Sequence, residues 1–291
     1  MSVGQLAQQL ANGIVIGGIY ALSAVGLTMI YGMMNIVNVA HGELFMLGAL
    51  LTYYLTQAVG LSFFVGVAAS ILLVSALGMV IERAALRPIR NSPMVVTTLA
   101  TLGISLMLQN LCLIITSGIP RFIGSPFSDI PLSVAGITLA PARLFATVVA
   151  VAVIVGTHVF LHRSKLGNAM RAAFQDKEAS SLAGINVSSI YMLTYALGAG
   201  LAALAGALLG TVAYVDPMMG AKGLMKCFVV VTIGGMGDFL GAIFAGFLLG
   251  VVETLSAAYI SSMYKDVIGF VMVIVVLLFL PSGLFGRKER F

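Results

Sequence analysis

The reading of the fold turns on the stretch Asn12–Ala49, NGIVIGGIYALSAVGLTMIYGMMNIVNVAHGELFMLGA. Between Gly13 and Met34 the only polar side chains are Tyr20, Ser23, Thr28 and Tyr31. A run of that length crosses about 30 Å of hydrocarbon as one helix. The segment NIVNVAHGELF, Asn35–Phe45, then gathers two asparagines, a histidine and a glutamate before apolar sequence resumes. Polar groups at membrane depth must be satisfied by protein or by a wet cavity. The stretch therefore reads as a helix, a polar break and a second helix. Asn35, Asn38 and His41 are spaced i, i+3 and i+6, which on a helix gives one drifting polar stripe. Gly42 is placed to break that helix. Glu43 is placed to start the next, with its charge at the positive end. A hydrogen-bonded hinge and a lining of a substrate path are both open readings of these residues.

Composition extends this reading to the whole chain. Of 291 residues, 60% are hydrophobic and 9% charged, with a mean hydropathy of +1.10. Soluble domains carry about 25% charged residues. The chain is expected to be all-α, a polytopic transmembrane bundle in a single domain over residues 1–291. Spans are expected near 8–32, 43–59, 61–84, 93–117, 141–162, 189–214, 222–236, 239–260 and 265–281. The piece at 222–236 reaches only about 22 Å at 1.5 Å per residue. It reads as short or re-entrant, which leaves eight or nine crossings. Small-residue clusters such as GAGLAALAGALLG, Gly198–Gly210, let helices approach closely. No cleavable signal peptide is evident at the start.

Charge sets the expected orientation. Arg83, Arg87 and Arg90 lie in one link, Arg163, Lys165, Arg171 and Lys177 in another, and Arg287, Lys288 and Arg290 in the tail. By the positive-inside rule all three face the cytoplasm, the C-terminus included. The Pro-, Gly- and Ser-containing segment 118–140 then lies outside. The side of the N-terminus depends on the break.

Enzyme chemistry finds no support. His41-Gly42-Glu43 is an H-x-E, but the P-C-x-x-C of the zinc deaminases is missing. Neither H-E-x-x-H nor G-x-S-x-G occurs. Cys112 and Cys227 lack metal spacing and read as buried hydrophobes. IGGMGDFLG, Ile233–Gly241, has no following Lys and makes a poor phosphate cradle. No catalytic residue, metal, cofactor or nucleic acid is expected on this chain. Gln109 and Asn110 fall within an apolar span, as packing glue or as path lining. Thr97, Thr98 and Thr101 can bond their own backbone. Glu82 beside Arg83 reads as an interfacial charge. Glu253 reads either as a functional carboxylate or as the partner of a Lys or Arg. Asp238 suits a helix N-terminus, and Gly42 and Gly237 each open a Gly-acid-apolar segment that hints at a repeat.

The link of about 163–188 is the longest polar stretch. Within it, MRAAFQDKEASSLAGI has helical periodicity. Met170, Ala173, Phe174 and Leu182 are expected on one apolar stripe, with Gly184 as the stop. Arg171 and Glu178, seven apart, would share a face two turns apart. Such a helix either lies on the lipid interface or docks in a partner's groove.

Six segments in order carry a resemblance: Asn12–Ala49, ERAALRPIR (Glu82–Arg90), SKLGNAMRAAFQDKEASSLAGIN (Ser164–Asn186), MKCFVVVTIGGMGDFLGA (Met225–Ala242), YKDVIGF (Tyr264–Phe270) and PSGLFGR (Pro281–Arg287). Over nearly its whole length the chain resembles the Liv-type permease subunits of branched-chain amino-acid ABC importers. Permeases for urea and short amides share many of these features and are the alternative within the class. Glu178-Ala179-Ser180 followed by Gly184 resembles the coupling loop of such permeases, without the usual Ile-x-Leu-Pro ending. The resemblance implies a coupling role for Gly167, Arg171, Ala172, Glu178, Ala179 and Gly184. It also implies a second homologous permease subunit, two cytoplasmic ATPase subunits holding ATP and Mg, an extracytoplasmic binding protein, and a place in the inner membrane. Asn35, Asn38, His41, Glu43, Gln109, Asn110 and Asp238 are the candidates for path or hinge. A self-contained secondary transporter is the competing class; it should carry ionisable residues in mid-span.

Overall fold

The structure is a computed structural model that describes residues 3–124, 127, 132–134 and 137–286. Eleven α-helices are described: α1 Val3–Met34, α2 His41–Gln57, α3 Phe63–Ile81, α4 Met94–Thr116, α5 Pro141–Arg163, α6 Lys165–Gln175, α7 Lys177–Leu182, α8 Val187–Gly210, α9 Met219–Gly234, α10 Phe239–Tyr259 and α11 Lys265–Phe279. Glu82–Leu86 prolongs α3 as a π-turn. One short antiparallel pair, β1 Leu132–Val134 and β2 Ile137–Leu139, sets Leu132 opposite Leu139.

Among the described residues, six helices are long and apolar enough to cross a membrane: α1, α3, α4, α5, α8 and α10. The fold is an all-α polytopic membrane bundle. The helices α2, α9 and α11, of 17, 16 and 15 residues, are shorter. Burial sorts the long helices. The apolar windows of α1 and α8 are 78% buried, whereas those of α4 and α5 are 22% and 17% buried. So α1 and α8 form the core, and α4 and α5 form the perimeter.

Small residues set the closest crossings. Gly13 and Gly17 of α1 face Gly246 and Gly250 of α10, each pair four apart, and a Cβ on any of them would strike the opposite backbone. Gly26 meets Gly198 of α8 in the same way. With no Cβ in between, the backbones touch, which is how helices gain packing without a hydrophobic driving force. These contacts hold α1 between α8 and α10 and fix the height of everything on it.

Two ends of the bundle are distinguishable. At one, Gln8 of α1 binds the backbone of Thr138 on β2, and Arg143 of α5 binds Asn12. At the other, Phe174 of α6 lies against Gly32 of α1 and Gly237. Leu284 and Phe285 bind the backbone of Ile233 and Gly234 at this same end. The first is called the hairpin end and the second the α6 end. The N-terminal end of α1 therefore sits at the hairpin end. The tail residues Arg287, Lys288 and Arg290 lie outside the described residues.

Candidate functional site

The break between α1 and α2 is not helical, contrary to the stripe expected for Asn35, Asn38 and His41. Asn35 has φ 53°, the left-handed region, and ends α1 with its N–H still bonded to the Tyr31 carbonyl at 2.7 Å. Asn tolerates this conformation better than most residues. The chain then turns back into the bundle. His41 opens α2 level with Ser23, eleven residues up α1 from Met34, or about 16 Å from the end of that helix. Gly42 is not the breaker. It lies in the first turn of α2, where a Cβ would strike the Gly220 carbonyl of α9. Glu43 does sit in that first turn, as its charge suggested.

Four helices hold the break. His41 is fully buried, and its Nε2 lies 3.0 Å from the Ser23 carbonyl. A carbonyl only accepts, so Nε2 carries the proton. The Ser23 hydroxyl is met by the Cys227 thiol of α9 at 3.0 Å. Thr101 of α4 bridges the turn: its hydroxyl accepts the Val39 N–H at 3.2 Å and faces the carbonyls of Val37 at 3.1 Å and Thr98 at 2.9 Å. Thr97 and Thr98 each bond the Met94 carbonyl of their own helix. Glu43 Oε1 accepts from Ser105 of α4 at 3.3 Å. Its Oε2 packs against Gly220 and has no hydrogen-bond partner among the described residues. The Asn38 amide stands near the Tyr195 hydroxyl, yet neither closes a hydrogen bond among the described residues. Four buried polar side chains, Asn38, His41, Glu43 and Tyr195, thus converge here with part of their capacity unused.

A second polar cluster lies beyond α9. Lys226 forms ion pairs with Glu253 of α10 and, at 2.7 Å, with Asp266 of α11. Tyr20 of α1 donates to Glu253 at 3.2 Å. Glu253 is thus a paired carboxylate. Lys226, Asp266 and Tyr20 escaped the sequence reading, because residues 40 apart in the chain become neighbours only through packing.

The other named residues separate from these clusters. Asn110 is exposed on α4 and bonds its own Leu106 carbonyl, and Gln109 beside it is half-buried. Asp238 caps α10, its Oδ1 accepting from Gly241 N–H at 2.7 Å. It sits at the α6 end, away from the break. Glu82 is buried and paired with Arg90 at 2.7 Å, and Arg90 also reaches Ser188 and the Tyr191 ring. That pairing ties the first basic link to α8.

The 163–188 link is two helices, not one. Asp176 leaves α6 with φ −152° and caps α7, accepting the N–H groups of Glu178 and Ala179. An Asp at this position competes with the helix it interrupts. The break removes the shared face expected for Arg171 and Glu178. Only half of the apolar stripe is covered: Met170 and Ala173 are buried, Phe174 is 47% exposed and Leu182 is 91% exposed. Gly167 is packed so tightly on Phe160 and Leu161 that a Cβ would strike their backbone. Ser164 caps that turn. Arg171 bonds Asn168, and the Ala172 carbonyl accepts from Asp176 N–H. Gly184 closes α7 at φ 81°, as expected of a stop. A cleft of about 300 Å³ lies under α6, lined by Thr28, Met33, Leu161, Met170, Phe174 and Thr194 among others.

A membrane bundle with a broken helix pair at its centre and a capped helical arm at one end is a transport permease in architecture. The chain belongs to the branched-chain amino acid transport system permease component family, which it matches over residues 9–277. It is 37% identical over 295 residues to the high-affinity branched-chain amino acid transport system permease protein BraD of Pseudomonas aeruginosa, over 97% of this chain and 96% of that one. It is also 37% identical over 297 residues to the permease protein LivH of Escherichia coli, over the same shares. Among solved structures, PsaBC from Streptococcus pneumoniae in complex with Fab aligns over 94% of this chain and 92% of its own, with a TM-score of 0.52 at 12% identity. That likeness concerns the fold alone.

Proposed function

We propose that this chain is a permease subunit of an ATP-driven importer for branched-chain amino acids. In this reading a second homologous permease completes the path, two ATPase subunits supply ATP hydrolysis, and an extracytoplasmic binding protein delivers the amino acid. The observation that carries it is the α6–α7 arm. Its helix ends are capped at Ser164, Asp176 and Gly184, yet it holds Leu182 almost wholly out of the protein. A large exposed apolar side chain on an ordered helix suits a groove in a partner. Arg83, Arg87, Arg90, Arg163, Lys165, Arg171 and Lys177 cluster at the same end of the bundle. Positive charge marks the cytoplasmic face, where the ATPases would dock. The last described residues, 281–286, end there too.

The transport cycle follows from two states. ATP binding at the ATPases closes them, and the α6–α7 arm moves with them. That motion shifts the bundle only so far as ATP favours one state over the other. The test uses the complete complex in proteoliposomes. Leu182→Asp and Gly184→Val should each cut leucine uptake and binding-protein-stimulated ATPase at least tenfold. Gly184→Val acts through backbone strain alone, since no atom lies within 4 Å of a Cβ there. If both activities survive in both variants, the arm does not couple.

A further inference from the structure

Lys226 lies eight residues before the end of α9, about 12 Å from the α6 end along its axis. Glu253 lies fourteen residues into α10 and Asp266 thirteen before the end of α11, about 20 Å from that same end. Gly234 and Gly241 touch there, and Phe285, six residues past α11, lies on them. Asp266 is in the first turn of α11, next to the exposed turn 260–264, so the open side of the cluster faces the hairpin end of the bundle. The Asp266 side chain is 59% exposed. Lys222, one turn from Lys226, is exposed as well and has no ion-pair partner among the described residues. A face carrying Lys222, Lys226 and Asp266 meets water or protein rather than lipid. The face is flanked by α2, which packs on α9, and by α11, which packs on α9 and α10.

We propose that this face of α9 and α11 lines the translocation path and binds the zwitterionic head of an amino acid in transit. The inference rests on the importer reading above and adds the residues that touch substrate. Lys222 and Lys226 take the α-carboxylate, and Asp266 takes the α-ammonium. Lys226 has three donors, of which Glu253 and Asp266 use two. Met218 and Met225, both exposed on the same stretch, offer adaptable apolar surface to an aliphatic side chain. Lys222, Lys226, Glu253 and Asp266 sum to no net charge, matching a ligand that carries one charge of each sign. The α1–α2 break lies behind α9, through Cys227 and Gly220, and supports this wall without facing the path.

The test uses the complete complex in proteoliposomes, with Lys222→Gln, Asp266→Asn and Met225→Cys variants. The two native cysteines of this chain are buried, so labelling is read on this chain after its separation from the other subunits. Lys222→Gln and Asp266→Asn should each lower leucine uptake at least tenfold while binding-protein-stimulated ATPase stays within twofold. Met225→Cys should react with a charged, membrane-impermeant thiol reagent, and 1 mM leucine with the binding protein should slow that labelling at least threefold. Uptake within twofold of wild type in both charge variants would overturn the proposal. So would an unreactive Met225→Cys, which places the face against lipid or sealed protein, or failure of the charge variants to assemble, which makes it a structural seam. If the unmodified complex carries no branched-chain amino acid at all, the importer reading fails first, and that result is distinct from the others.

Discussion

Two polar clusters meet on opposite sides of α9, and they solve the problem of membrane burial differently. The α1–α2 break is uncharged apart from Glu43, buries Asn38, His41 and Glu43, and is incompletely bonded: Asn38, Tyr195, His41 Nδ1 and Glu43 Oε2 all lack partners among the described residues. The Lys226 cluster is charged, paired on every described member, and partly open. A buried polar group without its hydrogen bond costs about 1–3 kcal/mol. The break is thus the loosely bonded cluster, and the Lys226 cluster the ion-paired one. α9 joins them, because adjacent residues Lys226 and Cys227 point to the two sides.

The largest effect should come from breaking the charged side. Lys226→Met leaves Glu253 buried without its cation, and removing one partner of a buried pair costs about 3–5 kcal/mol. Thermal unfolding of the purified permease in detergent should fall accordingly, and Lys226→Met with Glu253→Gln should recover part of the loss. No recovery would mean the pair is not what holds α9 to α10. Next comes Thr101→Val, which removes the clasp over Val37 and Val39 while keeping the side chain's shape. It should cost about 1–3 kcal/mol. Hydrogen exchange should rise at residues 36–40 and not at 226–230; a uniform rise would contradict a local clasp. His41→Ala should cost a similar amount through the Ser23 contact and should raise the reactivity of Cys227. Unchanged thiol reactivity would separate the two contacts. The smallest effect is Asn35→Gly, which relieves a left-handed backbone and should raise stability by less than about 1 kcal/mol. A loss instead would show that the Asn35 side chain has a partner of its own.

Much of this was legible in the chain. Long apolar runs announced the spans because every backbone group in lipid must bond within its own helix. Glu43 and Asp238 were readable as helix-start residues, and Gly184 as a stop, because those signals are local. The segment at 222–236 was readable as unusually short. Other features were not legible. Asp176 split the expected single arm helix, since an Asx cap and a helical interior suit the same residue equally well until the neighbours are placed. Thr101 looked like a threonine bonded to its own helix. Its second role depends on a turn 62 to 64 residues earlier in the chain. Gly42 looked like a breaker and is instead a point of backbone contact.

The sequence by itself determined that this chain is a membrane bundle, where its long helices lie, though six rather than the expected eight or nine are long enough to cross, which links collect positive charge, and that Asn35–Glu43 interrupts the apolar run. Those conclusions depend on composition and on neighbours within a few residues. Only the tertiary structure decided that the interruption folds back to mid-bundle and that α9 separates it from a Lys–Glu–Asp cluster. It also decided which of the two polar groups faces out. The reason is that burial and pairing at this depth are set by the glycine contacts of α1 with α8 and α10. Those contacts fix the relative heights of helices more than 200 residues apart in the chain, and local sequence carries no record of that height.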